Sequence, residues 1–253
     1  DYFNTVLYTG NGSTQSITGV GFQPDWVWIK GRSFGSNNRV TDSSRGASKG
    51  LKINGTDAED TSSTYYATAF GSDGFSLNSG AGDVNQNTET FVAWNWKANG
   101  GTTTTNDASS TGVGSIDSVY QANTTAGFSI VTYTGTGTAG TIAHGIGAKL
   151  NMYIVKIRGG AGAWYTYHGA NTAAPETDFL QLQDTAVTID GAVFNDTAPT
   201  STVFSVGTST GLNGNGSTYV AYCFAEVEGY SKFGSYTGNG SADGPFVYTG
   251  FRP

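Results

Sequence analysis

One phrase occurs three times in this chain, and it constrains the fold more than any other feature. Phe3-Asn-Thr-Val-Leu-Tyr8-Thr-Gly-Asn-Gly-Ser13 returns as Phe128-Ser-Ile-Val-Thr-Tyr133-Thr-Gly-Thr-Gly-Thr138, and in shortened form as Phe233-Gly-Ser-Tyr236-Thr-Gly-Asn-Gly-Ser241. A short apolar and aromatic run closed by Gly and Asn reads as a strand entering a tight turn. Its recurrence makes the chain a set of copies of one β-rich module. Such arrays usually reach, bind or assemble, whereas catalysis usually needs a singular site.

The repeat continues beyond the opening strand. Gly19-Val-Gly21-Phe-Gln-Pro24-Asp-Trp26-Val-Trp28-Ile-Lys30-Gly-Arg32 pairs with Gly145-Ile-Gly147-Ala-Lys-Leu-Asn-Met152-Tyr-Ile154-Val-Lys156-Ile-Arg158. The offset grows from 125 at Tyr8/Tyr133 to 126 here, so one residue is inserted between them. The run after each Gly pair is apolar at both parities, which predicts a strand covered on both faces, as in a sandwich. Gly74-Phe75-Ser-Leu77 matches Val203-Phe204-Ser-Val206, and Thr90-Phe-Val-Ala-Trp94-Asn-Trp96 matches Thr218-Tyr-Val-Ala-Tyr222-Cys-Phe224. The middles diverge: 33–69 in the first copy is Ser/Thr/Asp-rich, while the second carries Ala163-Trp164-Tyr-Thr-Tyr167-His168. A shared frame with divergent loops fits loops that carry specificity, and equally loops that drift.

Composition supports this reading. With 38 Gly, 5 Pro, 13% aromatic and 12% charged residues, the chain reads as many short strands joined by Gly/Asn turns, too aromatic to be disordered. The net charge is −7 and no basic run exists, which disfavours a nucleic-acid partner. No apolar run approaches ~18 residues, so no membrane insertion is expected. No signal peptide is visible, and the chain begins at Asp1 rather than Met. Cys223 stands alone, which excludes an intramolecular disulfide, and its apolar strand makes it a small core residue.

These observations predict an all-β protein of tandem antiparallel β-sandwich modules, jelly-roll or lectin-like. Module one spans 1–98. Residues 99–124 form a Gly/Thr/Asn-rich linker that ends in an edge strand, Gly114 to Tyr120. Module two spans 125–230. The third repeat begins at 231–253, and stops where Gly250-Phe251-Arg-Pro253 matches Gly21-Phe22-Gln-Pro24, as in a fragment of a longer repeat protein; the alternative is that this tail supplies closing strands to module two. The 99–124 linker predicts a loose joint between modules one and two, and the short Glu226–Tyr230 stretch a rigid one between module two and the tail.

Candidate chemistry is sparse. There are two histidines, His144 and His168, and His144 replaces Thr18 of the first copy. No nucleophile elbow, His-Glu-x-x-His or phosphate loop is present, so no catalytic residue, no metal and no cofactor is expected. Asp57-Ala-Glu-Asp60 lacks calcium-loop spacing. Lys30 and Arg32, and their counterparts Lys156 and Arg158, are placed at i and i+2, on one face of a strand, where they would grip a sugar acid or an acidic neighbour, or keep a strand exit soluble. Trp26, Trp28, Trp94 and Trp96 read as core, because Met152, Ile154, Tyr222 and Phe224 replace them. Trp164, Tyr165, Tyr167 and His168 have no evident counterpart and form the aromatic ligand-site candidate.

Thr125-Ala-Gly-Phe-Ser-Ile-Val-Thr-Tyr133-Thr-Gly, Thr218 to Gly229, Ser231 to Gly240 and Gly244-Pro-Phe-Val-Tyr-Thr-Gly-Phe-Arg-Pro253 resemble an uncharacterised β-rich repeat module of bacteriophage virion proteins, common in phages of marine and aquatic bacteria. The resemblance implies a non-enzymatic structural component of the virion, a tail fibre, appendage or capsid-surface protein, and supplies no catalytic residue. The expected partners are other virion proteins, further copies of the chain in a homo-oligomer such as a trimer, and a host surface glycan. A capsid decoration or assembly protein is the second reading, and a glycan-degrading enzyme, which needs two facing carboxylates, the third.

Overall fold

The computed structural model describes residues 1–62, 65–80 and 82–252. The first copy contains β1 (Phe3–Thr9), β2 (Gln15–Thr18), β3 (Trp26–Gly31), β4 (Arg39–Asp42), β5 (Gly50–Lys52), β6 (Ala67–Gly71), β7 (Gly74–Leu77), a helical turn α1 (Gly82–Asn85) and β8 (Thr90–Trp96). After β9 (Thr104–Asn106), α2 (Ala108–Thr111) and β10 (Ser118–Asn123), the second copy contains β11 (Phe128–Thr134), β12 (Gly140–Ala143), β13 (Met152–Ile157), β14 (Trp164–His168), β15 (Asp178–Gln181), β16 (Ile189–Asp190), β17 (Val203–Val206), α3 (Thr210–Asn213) and β18 (Thr218–Phe224).

The chain is all-β and its strand pairs are antiparallel. One sheet has the order β1-β8-β3-β4-β5, and the second copy repeats it as β11-β18-β13-β14-β15, with β16 added at one edge and β10-β9 at the other. A small sheet lies over each: β2-β7-β6 in the first copy and β12-β17 in the second. Each pair of layers encloses its own core. Ile17, Phe75 and Leu77 meet Val27, Ile29 and Phe91 in the first copy. Ile142, Phe204 and Val206 meet Val131, Tyr153 and Ala221 in the second. Cys223 is buried in that second core, where burial raises its thiol pKa.

The repeated phrase holds each sandwich shut. Tyr8 pairs with Phe91 across the ladder and stacks on it at 5.1 Å, and Tyr133 does the same with Tyr219 at 5.1 Å. The Tyr8 hydroxyl donates to the Val84 carbonyl at 2.6 Å, and Tyr133 to that of Leu212 at 2.7 Å. The next residue along is a buried asparagine in both copies. Asn85 donates to the carbonyls of Ser13 and Asn78 and accepts from Asn11 N–H; Asn213 donates to Thr138 and Gly207 and accepts from Thr136 N–H. A glycine between is required, because a Cβ at Gly10 would stand 2.2 Å from the Gln86 carbonyl oxygen, and one at Gly135 2.4 Å from that of Gly214. Phenol, glycine and carboxamide thus form one latch that satisfies buried backbone groups otherwise left orphaned.

The third occurrence of the phrase forms no strand. Residues 232–252 are irregular, and Tyr236, Phe246 and Tyr248 are exposed. The local turn still forms, since Gly240 takes the left-handed φ of Gly12 and Gly137 (70°, 66° and 75°). The latch does not, because its partner is a central strand, and both central strands are taken: β8 lies between β1 and β3, and β18 between β11 and β13. The tail therefore adds no closing strand to module two. It is anchored at its start, by Lys232 on Glu226 at 2.9 Å and by Phe233 against Phe224.

The 99–124 segment is not a loose linker. The buried Asp25 carboxylate accepts from the N–H groups of Ala98, Gly100 and Gly101 and from the Ser43 hydroxyl, and Gln121 Oε1 accepts from Asn99 and Gly101. Low apolar content predicted a free loop; fixed backbone donors converging on two side chains hold it instead. Asn213→Ala removes three hydrogen bonds to backbone groups, of which the Gly207 carbonyl is buried and the Thr136 N–H and Thr138 carbonyl are partly buried, and is expected to lower the unfolding free energy by about 2 kcal/mol, measured by chemical denaturation. Asn85→Ala should act alike.

A candidate binding groove at the seam

The two copies meet through a third apolar core, which contains Trp26, Val40 and Leu51 of the first and Phe128, Trp164 and Tyr222 of the second. Trp26 stacks on Tyr222 at 4.4 Å and 20°. Trp164 is fully buried, and its indole N–H donates across the seam to the carbonyls of Lys52 (2.9 Å) and Gly55 (3.1 Å). The backbone joins as well, through Glu59 N–H to the Arg158 carbonyl and Gly162 N–H to that of Thr56, each at 2.8 Å. The joint expected to be loose is therefore a packed and hydrogen-bonded interface.

A charge relay crosses it. Asp42 takes Arg45 at 2.5 Å and the Tyr222 hydroxyl at 2.7 Å. Arg45 also reaches Glu59 at 2.8 Å, and Arg158 of the second copy closes on the same carboxylate with two bonds of 2.9 and 3.0 Å. Burial alone would raise the Glu59 pKa, but the Arg158 hydrogen bonds and the Arg45 charge outweigh it and hold the carboxyl below its usual range. Burial likewise opposes the charge on Arg45, and Asp42, Tyr222 and Glu59 more than offset it. Asp57 is exposed and paired with Lys52 at 3.3 Å. The acidic loop thus serves as a strap between copies.

This arrangement corrects the ligand-site candidates. Trp164 belongs to the seam core and Tyr167 to the second core, where it stacks on Tyr153 at 5.0 Å. Tyr165 is half-buried against Phe179, and His168 half-buried with its ring 6.1 Å from Phe233. Alternation along β14 sends them to opposite faces, so they do not share a surface. They also have a counterpart, since the β13/β14 register (Val155↔Tyr165) superposes on that of β3/β4 (Ile29↔Arg39). Sequence divergence concealed it.

The cation pairs do not form open grips either. Lys30 Nζ turns to the Ser36 carbonyl at 2.7 Å, while Arg32 is exposed. Lys156 is fully buried, with its ammonium on the carbonyls of Ile157 (3.1 Å) and Thr56 (3.2 Å). Burial pushes its pKa down to about 8, against a smaller opposing effect of Asp57. Arg158 is consumed by Glu59. His144 is also buried, its pKa pushed down to about 4 by burial.

What the seam leaves open is an aromatic groove of about 370 Å³. Phe3, Trp28 and Trp96 line it from the first copy, Met152 and Phe224 from the second, and Phe233 from the start of the tail. Trp28 and Trp96 are half-buried, so they keep accessible ring surface. Phe3 lies 4.9 Å from Trp96, and Trp28 is fixed by donating its indole N–H to Asn38 at 3.0 Å. Trp26 forms part of the wall, its buried indole N–H without a hydrogen-bond partner among the described residues. Such a surface binds by stacking and burial, taking an aromatic group or the apolar face of a sugar ring. Of the four tryptophans expected as core, Trp26 fills that role, while Trp28 and Trp96 frame this groove. Their β3↔β8 pairing, Trp26↔Trp96 and Trp28↔Trp94, places them together, but the opposite wall comes from Phe128, Met152 and Phe224 of the second copy, distant in sequence, which no local pattern signals. Among the described residues there is no cluster of three His, Cys, Asp or Glu able to hold a metal ion, and no helix long and apolar enough to cross a membrane.

The groove and the duplicated sandwich define an all-β protein built around a two-copy unit. The chain belongs to the family described as a domain of unknown function (DUF7483), which matches residues 1–253, through both copies and the tail. No curated protein and no solved structure matches it.

Glu59→Gln should lower stability at neutral pH by about 3 kcal/mol, because it breaks a largely buried ion pair. Glu59 has a depressed folded pKa, so its contribution is complete above the ordinary value of 4.5 and is lost as pH falls through the lower folded value. The gap between variant and wild type, measured by denaturation, should therefore close on acidification. Lys156→Met should raise stability at pH 7. The folded Lys156 pKa of about 8 lies below its ordinary 10.5, so the native protein gains stability from this group as pH rises between those values; the variant's pH profile should lack that rise.

Proposed function

We propose that this chain is a non-enzymatic structural component of a bacteriophage virion, carried on a tail fibre or appendage at the particle surface, that contributes to host attachment. The observation that carries the reading is the seam groove, an open aromatic surface made jointly by two copies that are otherwise committed to holding each other. The repeated residues support it, because the tyrosine and glycine of the phrase, with Asn85 and Asn213 opposite them, are spent on closing the sandwich. The carboxylates of Asp42 and Glu59 and that of Asp83, which pairs with Arg39, are bound to arginines. A rigid scaffold with a stacking surface suits recognition of a host surface glycan, and multiple display on an oligomer multiplies weak contacts. Virion proteins and further copies of the chain are the remaining partners of this reading.

A second reading, a capsid decoration or assembly protein, is favoured by the exposed Tyr236, Phe246 and Tyr248 of the tail, since apolar surface of this kind suits protein contacts. Locating the chain in intact particles by cryo-EM separates the two sites of residence. Binding to host cells and a glycan array tests attachment: Trp28→Ala should weaken binding about tenfold, the loss of one ring stack, with an unchanged circular dichroism spectrum. Undiminished binding by this variant would remove the groove from the proposal.

A further inference from the structure

The outer edges of β1 and β11 are equivalent, yet only one is covered. β10 pairs along β11 from Ser118↔Tyr133 to Asn123↔Phe128. Tyr120 of β10 lays its ring over Gly145, so close that a Cβ there would stand 2.2 Å from the ring. The counterpart of Gly145 is Gly19. It has the same left-handed backbone (φ 87° against 73°), yet a Cβ there would meet nothing within 4 Å. β1 pairs with β8 alone among the described residues, and Phe3 and Leu7 are 38% and 62% exposed. The first copy thus presents a strand edge and a glycine notch that the second copy shows filled.

The tail matches the segment that does the filling. Gly114-Ser-Ile-Asp117 leads to Val119-Tyr120 and continues into β10; Gly240-Ser-Ala-Asp243 leads to Val247-Tyr248, with two additional residues between. Gly114 and Gly240 share a left-handed φ, 79° and 70°. Phe246, Val247 and Tyr248 are 91%, 49% and 80% exposed and form no strand. The end of the tail shares a crevice with the 226–232 turn of its own chain, which leaves β1 uncovered. The edge that β10 would take on the second copy is already occupied.

We infer that β1 of one molecule accepts the tail of a second copy by antiparallel strand addition, with Val247 opposite Leu7 and Tyr248 over the Gly19 notch. The register follows from β10 on β11, where Val119 faces Thr132 and Tyr120 faces Val131; Leu7 and Val6 occupy those places on β1. Main-chain hydrogen bonds supply the affinity and the tyrosine pocket the specificity. The donor and acceptor surfaces differ, so the contact is head-to-tail and propagates into a linear array unless a rotation closes it into a ring. This inference shares only Phe3 of β1 with the groove and depends on no glycan.

The full chain carrying Leu7→Cys is mixed with the full chain carrying Val247→Cys and oxidised. Both sites are exposed, and the native Cys223 is buried, so folding and background are undisturbed. The expected result is a mixed disulfide dimer well in excess of either homodimer. Wild-type protein should show a weight-average mass in sedimentation that rises with concentration, and Tyr248→Asp should weaken that association about tenfold or more, as loss of a central aromatic anchor does. Mixed dimer no more abundant than the homodimers would overturn the inference. So would a wild-type mass that stays monomeric, or a disulfide that forms only within a Leu7→Cys/Val247→Cys double variant, which would mean that the tail closes on its own β1.

Discussion

The stack of Trp26 on Tyr222, continued by the Asp42–Arg45–Glu59–Arg158 relay, is the interaction on which the rest of this molecule depends. It turns two sandwiches that each close a core into one body with three cores. The aromatic groove, the strapped 53–60 loop and the buried Lys156 exist because those two faces are pressed together. Buried charge is costly unless fully paired, and here the carboxylates of Asp42 and Glu59 each meet an arginine, while a tyrosine hydroxyl completes the Asp42 shell. The polar part of the seam fixes the docking angle that the rings alone would leave loose.

Duplication has been used asymmetrically. The latch of Tyr, Gly and Asn is the same in both copies to within 0.1 Å in its phenol hydrogen bond, since the backbone it satisfies is the same. The faces that meet at the seam are not alike: Trp26, Trp28 and Trp96 oppose Met152, Ile154 and Phe224 at equivalent places. Two identical faces would pack as a symmetric dimer, while two different ones can leave a groove between them. The edges differ too, one capped by β10 and one bare among the described residues.

Much of the fold was legible beforehand. The copies, their strands and the burial of Cys223 follow from apolar runs set between Gly/Asn turns, because a strand signals itself within a few residues. The aromatic residues from Trp164 to His168 form no single site, because a cluster in sequence splits onto two faces of a strand. The linker at 99–124 looked free because side chains such as Asp25 and Gln121, which bind its backbone, lie outside it or at its far end. The groove went unseen because it draws on both copies and on the tail.

The order of residues alone gave the two sets of matching strands and the third occurrence of the phrase, with the turn at Gly240 formed although the phrase pairs with no strand among the described residues, since backbone conformation in a tight turn is a local matter. Tertiary packing alone decided that the two units fuse through an aromatic and ionic seam, that the third phrase stays unpaired, and that one strand edge is left bare. Those outcomes depend on which surfaces remain unoccupied once both central strands are hydrogen-bonded on each side, a condition no stretch of sequence carries by itself.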